Sequence, residues 1–263
     1  MRLFLQVQPE VFAMRFARAI LGALVAYATI GVPHAPLAAG ERPVLVELFT
    51  SQGCSSCPPA DSLIADLSRQ RADMIVLSLP VDIWDYNGWK DTLARPEFSQ
   101  RQKLYSQSRG DHQVYTPQVV VDGQAHGVGS DRAQILSLVE ETSAARVKEI
   151  APLSLAERNG MLIVELGEAN HQMERGANVM LLRVVKSRTV TIGRGENRGR
   201  DVTYTNVVRS MVRLGFWTGA SARFEMPLPE ARADDADGYV VIVQKSWGDT
   251  LGPILAASKG GAL

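Results

Sequence analysis

The only two cysteines of the 263-residue chain, Cys54 and Cys57, are separated by two residues. They follow an apolar, β-rich run at residues 44–49 and precede a helical pattern that begins at Pro58. A Cys-x-x-Cys pair between a strand and a helix is typical of a redox-active dithiol. Cys54 would lie near a helix N-terminus, where unpaired N–H groups and the helix dipole stabilise a thiolate. We therefore predict that Cys54 attacks a substrate disulfide and that Cys57 resolves the mixed disulfide.

Two other interpretations of the cysteine pair stay open. One is a structural disulfide, although a bridge over so few residues closes a very small loop and stabilises little through chain entropy. The other is a metal site, which needs ligands beyond the two thiols, with His112 and His126 as the candidates. The redox interpretation itself involves no metal and no other cofactor.

The composition is that of an ordinary globular protein, and the N-terminus indicates export. The chain has 28 basic and 28 acidic residues, a balance that argues against nucleic acid or an anionic membrane surface as the main partner. Arg15 and Arg18 precede an apolar run at residues 19–32, and small residues follow at 38–40. This pattern predicts a signal peptide at residues 1–40 and a periplasmic or secreted protein. An uncleaved signal segment would be its one membrane contact.

The segment around the cysteines has the pattern of a parallel β-α-β unit. Strands are predicted at residues 44–50 and 74–79, with a helix at 58–71 between them, which implies a right-handed crossover. The carboxyl ends of parallel strands meet at one edge of the sheet, so the segment after the second strand should lie beside Cys54. Three aromatic side chains in that segment are candidates for the wall of a substrate groove or for packing against the domain. They are Trp84, Tyr86 and Trp89.

The following residues predict a helix, a strand pair and a closing helix. The helices are predicted at residues 96–109 and 131–147. Pro117 directly precedes an apolar strand pattern, an awkward place for proline that a cis Thr116–Pro117 bond would explain. Asp122-Gly123 predicts a tight turn into a short partner strand.

These motifs together resemble the thioredoxin fold, in which a Cys-x-x-Cys motif follows the first strand and a cis-proline loop lies against it. The resemblance implies that Pro117 orients the substrate and that Thr116 contributes backbone pairing to the substrate chain. A thioredoxin also has an acid in the first strand that helps to deprotonate the resolving thiol. Glu47, inside the first predicted strand but one residue further from Cys54 than the usual spacing, would be that acid, since burial raises a carboxyl pKa and suits proton transfer. The alternative is that Glu47 faces water on an edge strand.

A narrower resemblance covers about residues 42–258. The stretches at residues 49–61, 84–91 and 115–118 are similar to a family of exported, thioredoxin-like bacterial proteins catalogued as a domain of unknown function. The resemblance implies fold and export and no settled activity. The chain departs from the family pattern at Pro80, where a histidine is usual, so a mechanism that needs an imidazole there does not carry over.

The second half of the chain has the pattern of a β-rich domain. We predict an α/β thioredoxin-like domain at residues 41–150 and an all-β, sandwich-like domain at 151–263. The glycine- and arginine-rich segment Gly193–Arg200 links two predicted strands. It is expected to form a hairpin tip, to bind an anion through its arginines, or to fold over the dithiol. The strands are predicted at 153–156, 161–166, 178–186, 189–192, 201–214, 222–227, 239–245 and 254–257.

The sequence thus favours an exported thiol–disulfide oxidoreductase acting on protein or small-molecule thiols and disulfides. The first alternative is a non-catalytic binding or assembly module in which the cysteines form a stable bridge. The second is a metal carrier that uses both thiols.

Overall fold

The computed structural model describes residues 42–145, 151–170, 173, 175–248 and 250–263. The predicted signal peptide lies outside the described residues. The described residues belong to one compact unit. Within the described part of the chain, no helix combines the length and apolar character needed to cross a membrane.

The described elements alternate between strands and helices in the first half and are nearly all strands in the second. The helices are α1 (Pro58–Gln70), α2 (Pro96–Arg109), α3 (Arg132–Ala145) and α4 (Leu228–Ala231). The strands of the first half are β1 (Val44–Thr50), β2 (Met74–Pro80), β3 (Gln118–Val121) and β4 (Ala125–Val128). Those of the second half are β5 (Leu153–Arg158), β6 (Met161–Leu166), β7 (Ala177–Thr191), β8 (Asp201–Trp217), β9 (Ala222–Pro227), β10 (Gly238–Trp247) and β11 (Thr250–Gly261).

The fold is mixed α/β and is dominated by one eight-stranded sheet with few helices. Its strand order is β11-β10-β7-β8-β2-β1-β3-β4, and a second sheet has the order β5-β6-β9. Strands β1 and β2 are parallel, as their connection through α1 predicts. Strand β3 is antiparallel to β1 and forms a hairpin with β4, and its turn residues Asp122 and Gly123 both have positive φ. These four strands and α1 to α3 lie close to their predicted bounds.

The large sheet crosses the domain boundary predicted near residue 150. Strand β2, from the first half, pairs in parallel with β8, from the second, at Ser78 and Val207. The Ser78 hydroxyl also donates to the Thr205 carbonyl at 2.8 Å. The predicted thioredoxin-like and all-β segments therefore share one sheet, which is continuous through the pairing of β2 with β8.

Apolar side chains on both faces of the large sheet hold its layers together. Helices α1 and α3 cover one face of β1 to β3 through side chains such as Ile64 and Ile135. Helix α2 lies on the other face, where Phe98 belongs to a cluster with residues of β1, β2, β7 and β10. The small sheet packs on β7, β10 and β11 through residues such as Val164.

Candidate functional site

The two cysteines form a disulfide at the start of α1. Cys57 is the N-cap residue of the helix and Pro58 occupies the first turn, where its missing N–H costs no hydrogen bond. Both sulfur-bearing residues are buried: Cys54 is 4% exposed and Cys57 is 0% exposed. Between them lie the exposed Ser55 and Ser56, and the Ser56 hydroxyl is 3.3 Å from the Cys54 sulfur. Cys54 is therefore the more accessible of the two.

Trp84 connects the cysteine turn to the Thr116–Pro117 segment. Its indole N–H donates to the Thr116 hydroxyl at 2.7 Å, and the Thr116–Pro117 peptide bond is cis, as the sequence predicts. A Cβ placed on Gly53 would lie only 3.0 Å from the Trp84 Cβ, so the glycine permits this close approach. The structure therefore brings Trp84 and Thr116 to the cysteine turn.

Pro117 lies beside the first turn of α1. A Cβ placed on Gly129 would lie 3.1 Å from the Pro117 Cβ and 3.3 Å from the Ala60 Cβ, so both side chains border the same backbone segment. The Pro117 carbonyl accepts the Gly129 N–H at 3.0 Å. Pro117 is thus held near Ala60, which lies three residues after Cys57 in α1.

The other two predicted aromatic residues have different surroundings. Tyr86 is 77% exposed, and its ring centroid lies 6.1 Å from that of Trp84. Trp89 donates its indole N–H to the Gln52 side-chain oxygen at 2.7 Å and packs against the Gly193–Arg200 segment. Tyr86 therefore presents its ring to solvent, whereas Trp89 is engaged by the Gln52 side chain and the Gly193–Arg200 segment.

The Gly193–Arg200 segment, which we call the hairpin tip, joins β7 to β8 and lies on the cysteine turn. The Asn197 side-chain amide donates to the Gln52 carbonyl at 3.0 Å and to the Cys54 carbonyl at 2.8 Å. Asn197 is 1% exposed, and its side-chain oxygen is buried without a hydrogen-bond partner. The expectation that this segment folds over the dithiol agrees with these contacts.

Glu47 is buried but points to α2. Its carboxylate accepts from Arg101 Nε at 2.7 Å and from the Tyr105 hydroxyl at 2.6 Å. These three residues form a closed cluster in which the glutamate charge is compensated by the guanidinium. The geometry does not support the proton-transfer role predicted for Glu47.

Asp61 is the carboxyl group that lies one helical turn after the second cysteine. Its backbone N–H donates to the Cys57 carbonyl at 3.1 Å, and the residue is 2% exposed. Asp61 Oδ1 accepts from the Thr50 hydroxyl at 2.8 Å, whereas Oδ2 is buried without a hydrogen-bond partner. Burial raises the pKa of Asp61 to about 8, with the Thr50 hydrogen bond opposing this and the charge of Asp91 adding to it.

A second buried carboxyl group, Asp91, supports the same turn. Its oxygens accept the backbone N–H groups of Gln52, Leu93 and Ala94 at 2.7, 2.8 and 3.0 Å. Burial raises the pKa of Asp91, and these hydrogen bonds oppose the rise. Because three donors stabilise the ionised form of Asp91, a proton shared by the two groups belongs on Asp61.

The sequence prediction missed Asp61 and Asn197 for different reasons. Asp61 precedes Ile64 by three positions on the buried face of α1, so the helical period that predicts Ile64 as buried also predicts Asp61 as buried. Asn197 contacts the cysteine turn across 143 residues of chain, and no local pattern signals such a contact.

The histidines proposed as metal ligands are engaged elsewhere or lie apart. His126 is 3.1 Å from Asp111 through Nε2 and 3.0 Å from the Tyr115 hydroxyl through Nδ1, and burial lowers its pKa. His112 borders a groove with residues of α2. Among the described residues, no group of three or more His, Cys, Asp or Glu side chains is arranged to hold a metal ion.

The comparisons with known proteins identify a family. The sequence model of the family described as "Protein of unknown function (DUF1223)" matches residues 45–244. No curated protein matches this chain. Among solved structures, protein AGR_C_4864 from Agrobacterium tumefaciens is similar, with 28% identity, a TM-score of 0.71 and coverage of 82% of this chain and 92% of that chain. HBP35 of Porphyromonas gingivalis shares the fold alone, at 13% identity and a TM-score of 0.56, with coverage of 84% and 75%. Because the family model matches most of its residues, the chain belongs to the DUF1223 family.

Proposed function

We propose that the protein is an exported thiol–disulfide oxidoreductase built on a thioredoxin-like arrangement of residues 42–145. The observation that carries the proposal is the Cys54–Cys57 disulfide at the N-terminus of α1, joined through Trp84 to the cis-proline segment. The parallel β1-α1-β2 unit and the antiparallel β3-β4 hairpin support the fold assignment. Export rests on the signal-peptide pattern of residues 1–40.

The reaction follows from the order of the two thiols. In the reduced protein, the Cys54 thiolate attacks one sulfur of a substrate disulfide, and the other substrate sulfur leaves as a thiolate that takes a proton from water. Cys57 then loses its proton and attacks the Cys54 sulfur, which releases the second substrate thiol. The dithiol loses two electrons, the substrate disulfide gains them, and the Cys54–Cys57 bond forms. Run in reverse, the same steps oxidise a substrate dithiol.

The ionised form of Asp61, which is the minor form at neutral pH because its pKa is about 8, is our candidate for the group that takes the Cys57 proton. Its pKa of about 8 lies close to the ordinary thiol value of about 8.5, so the transfer is nearly balanced in free energy. Its unpartnered Oδ2 is available for the proton, while Thr50 holds Oδ1. Pro117 and Thr116 would align the substrate chain, and Tyr86 offers it an exposed aromatic surface.

Trapping of the mixed disulfide tests the proposal. A Cys57→Ala variant can complete the first attack but not the second, so it should accumulate a Cys54–peptide disulfide when it reacts with a peptide whose cysteine carries thionitrobenzoate as the leaving thiol of a mixed disulfide. Cys54→Ala is the matched control and should accumulate little, because Cys57 is fully buried. Equal trapping by both variants, or none by either, would contradict the proposed roles.

The burial of both cysteines favours a second candidate function. With Cys54 only 4% exposed, the disulfide is also suited to be a stable bridge in a non-catalytic binding or assembly module. That function predicts a bridge that glutathione does not open and an absence of trapping in both variants. The trapping experiment therefore separates the two candidates.

A further inference from the structure

The hairpin tip is fixed against the cysteine turn by one buried side chain. Asn197 donates to the carbonyls of both Gln52 and Cys54, and Trp89 packs under Gly193 and Gly195. A Cβ at Gly193 would lie 3.1 Å from the Trp89 ring. The tip therefore keeps a defined place next to Cys54.

Around this anchor the tip presents three arginines to solvent. Arg194, Arg198 and Arg200 are exposed, and none of them forms an ion pair or side-chain hydrogen bond within the described residues. The tip has one acid, the exposed Glu196, and the neighbouring Asp201 accepts from the Thr191 hydroxyl. Positive charge thus exceeds negative charge within the hairpin tip itself.

Two arginines elsewhere on the surface, Arg109 and Arg223, are paired with acids. Arg109 is paired with Asp111 at 2.7 Å. Arg223 is paired with Glu165 at 2.6 Å and with Glu225 at 2.7 Å. Pairing of this kind neutralises the guanidinium locally, whereas the arginines of the hairpin tip are available to an external anion and lie next to the cysteine turn.

The position of these charges determines which disulfides approach Cys54 most readily. A substrate sulfur must come into bonding contact with the Cys54 sulfur, which brings the groups flanking it close to the hairpin tip. At about 0.1 M salt the Debye length is about 10 Å, so charges at that separation still interact. Carboxylates also accept paired hydrogen bonds from guanidinium groups.

We infer that the hairpin tip selects acidic peptide disulfides, in which carboxylates flank the reacting sulfurs, as substrates of the Cys54–Cys57 pair. The inference rests on the proposed oxidoreductase function and adds the substrate class to it. Arg194, Arg198 and Arg200 supply the recognition, and Asn197 is a positioning residue that holds them beside Cys54.

The test compares disulfides of opposite charge. The rate constant for oxidation of the reduced, full-length protein is measured with oxidised glutathione, an acidic peptide disulfide, and with cystamine, a cationic disulfide. Each rate is divided by that of free dithiothreitol with the same compound, which removes differences in intrinsic reactivity. We expect a corrected preference for glutathione of about tenfold, within the range of electrostatic steering, and its loss between about 0.01 M and about 1 M salt.

A triple substitution then locates the preference. Replacement of Arg194, Arg198 and Arg200 by Gln should remove the preference for oxidised glutathione and leave or raise the rate with cystamine.

The control for this variant removes the same amount of charge elsewhere. Replacement of Arg158, Arg213 and Lys259, which are exposed on β5, β8 and β11, by Gln should keep the preference. A preference that is equal in the two triple variants, or absent in the unmodified protein, would overturn the inference while leaving the oxidoreductase function in place. Failure to react with either disulfide at any salt concentration would overturn both.

Discussion

Two buried carboxyl groups in the same compact unit, Glu47 and Asp61, have opposite surroundings. Both oxygens of Glu47 accept hydrogen bonds, and Arg101 compensates its charge. Asp61 has one bond, from the neutral Thr50 hydroxyl, and an oxygen without a partner. The comparison shows that burial alone does not make a carboxyl group suitable for proton transfer. A buried cation stabilises the ionised form of a neighbouring carboxyl group, so such a group is poorly suited to taking up a proton.

The largest effect is expected from breaking the Glu47 cluster. Glu47→Gln leaves Arg101 as an uncompensated buried charge, so the free energy of unfolding should fall by about 3–5 kcal/mol. Urea denaturation at neutral pH measures it. The double variant Glu47→Leu/Arg101→Met removes both charges and should lose clearly less. A loss below about 1 kcal/mol for the single variant would show that the ion pair is not held as described.

The raised pKa of Asp61 should make the free energy of unfolding depend on pH. Burial keeps its pKa near 8 in the folded protein, whereas the unfolded value is 3.8. Between these values the folded state holds a proton that the unfolded chain has lost, so the free energy of unfolding falls as pH rises. From pH 5 to pH 7 the decrease from this group should be about 2–3 kcal/mol.

Asp61→Asn should flatten this part of the profile of the oxidised protein. Some slope will persist, since burial also raises the pKa of Asp91. Asp66→Asn, at a partly exposed position of the same helix, is the matched control for loss of a carboxyl group, and this variant should keep the fall in stability from pH 5 to pH 7. An Asp61→Asn profile that coincides with that of the unmodified protein would refute the assignment of a raised pKa to Asp61.

A smaller effect is expected where the hairpin tip meets the cysteine turn. Asn197→Ala removes donors to the Gln52 and Cys54 carbonyls and should lower the free energy of unfolding by about 1–2 kcal/mol. Asn197→Asp keeps the shape but places carboxylate oxygens against the two carbonyls, so it should cost at least as much. A milder effect of Asn197→Asp than of Asn197→Ala would contradict the described donor geometry.

Much of the fold follows from local pattern. The apolar run at Val44–Thr50, the prolines at the starts of α1 and α2 and the Asp-Gly turn before β4 each specify their element without help from the rest of the chain. Strand β7 shows the limit: two strands were predicted at 178–186 and 189–192, but one strand runs from Ala177 to Thr191. The polar residues near Ser187 stay in the strand because they pair with β8. This pairing is a tertiary contact that the local sequence does not show.

The same distinction applies to the candidate site. The positions of Cys54, Cys57 and Pro117 follow from spacing and from the strands and helix beside them. The partners of Glu47 do not, because its place inside the apolar strand β1 predicts burial but does not predict that Arg101 of α2 contacts it. The two predicted domains share a single sheet through the pairing of β2 with β8. These segments are far apart in the chain, and no periodic pattern in the sequence predicts that they pair.

The most direct test of the account is the reactivity of the cysteine pair itself. Alkylation of Cys54 in the reduced protein is followed against pH, and the protein is then equilibrated in glutathione buffers. Thiol exchange predicts a Cys54 pKa clearly below about 8.5 and a reduction potential between about −270 and −120 mV. A potential below about −300 mV, or a Cys54 with the reactivity of an ordinary thiol, would contradict the oxidoreductase function and leave the disulfide as a structural bridge.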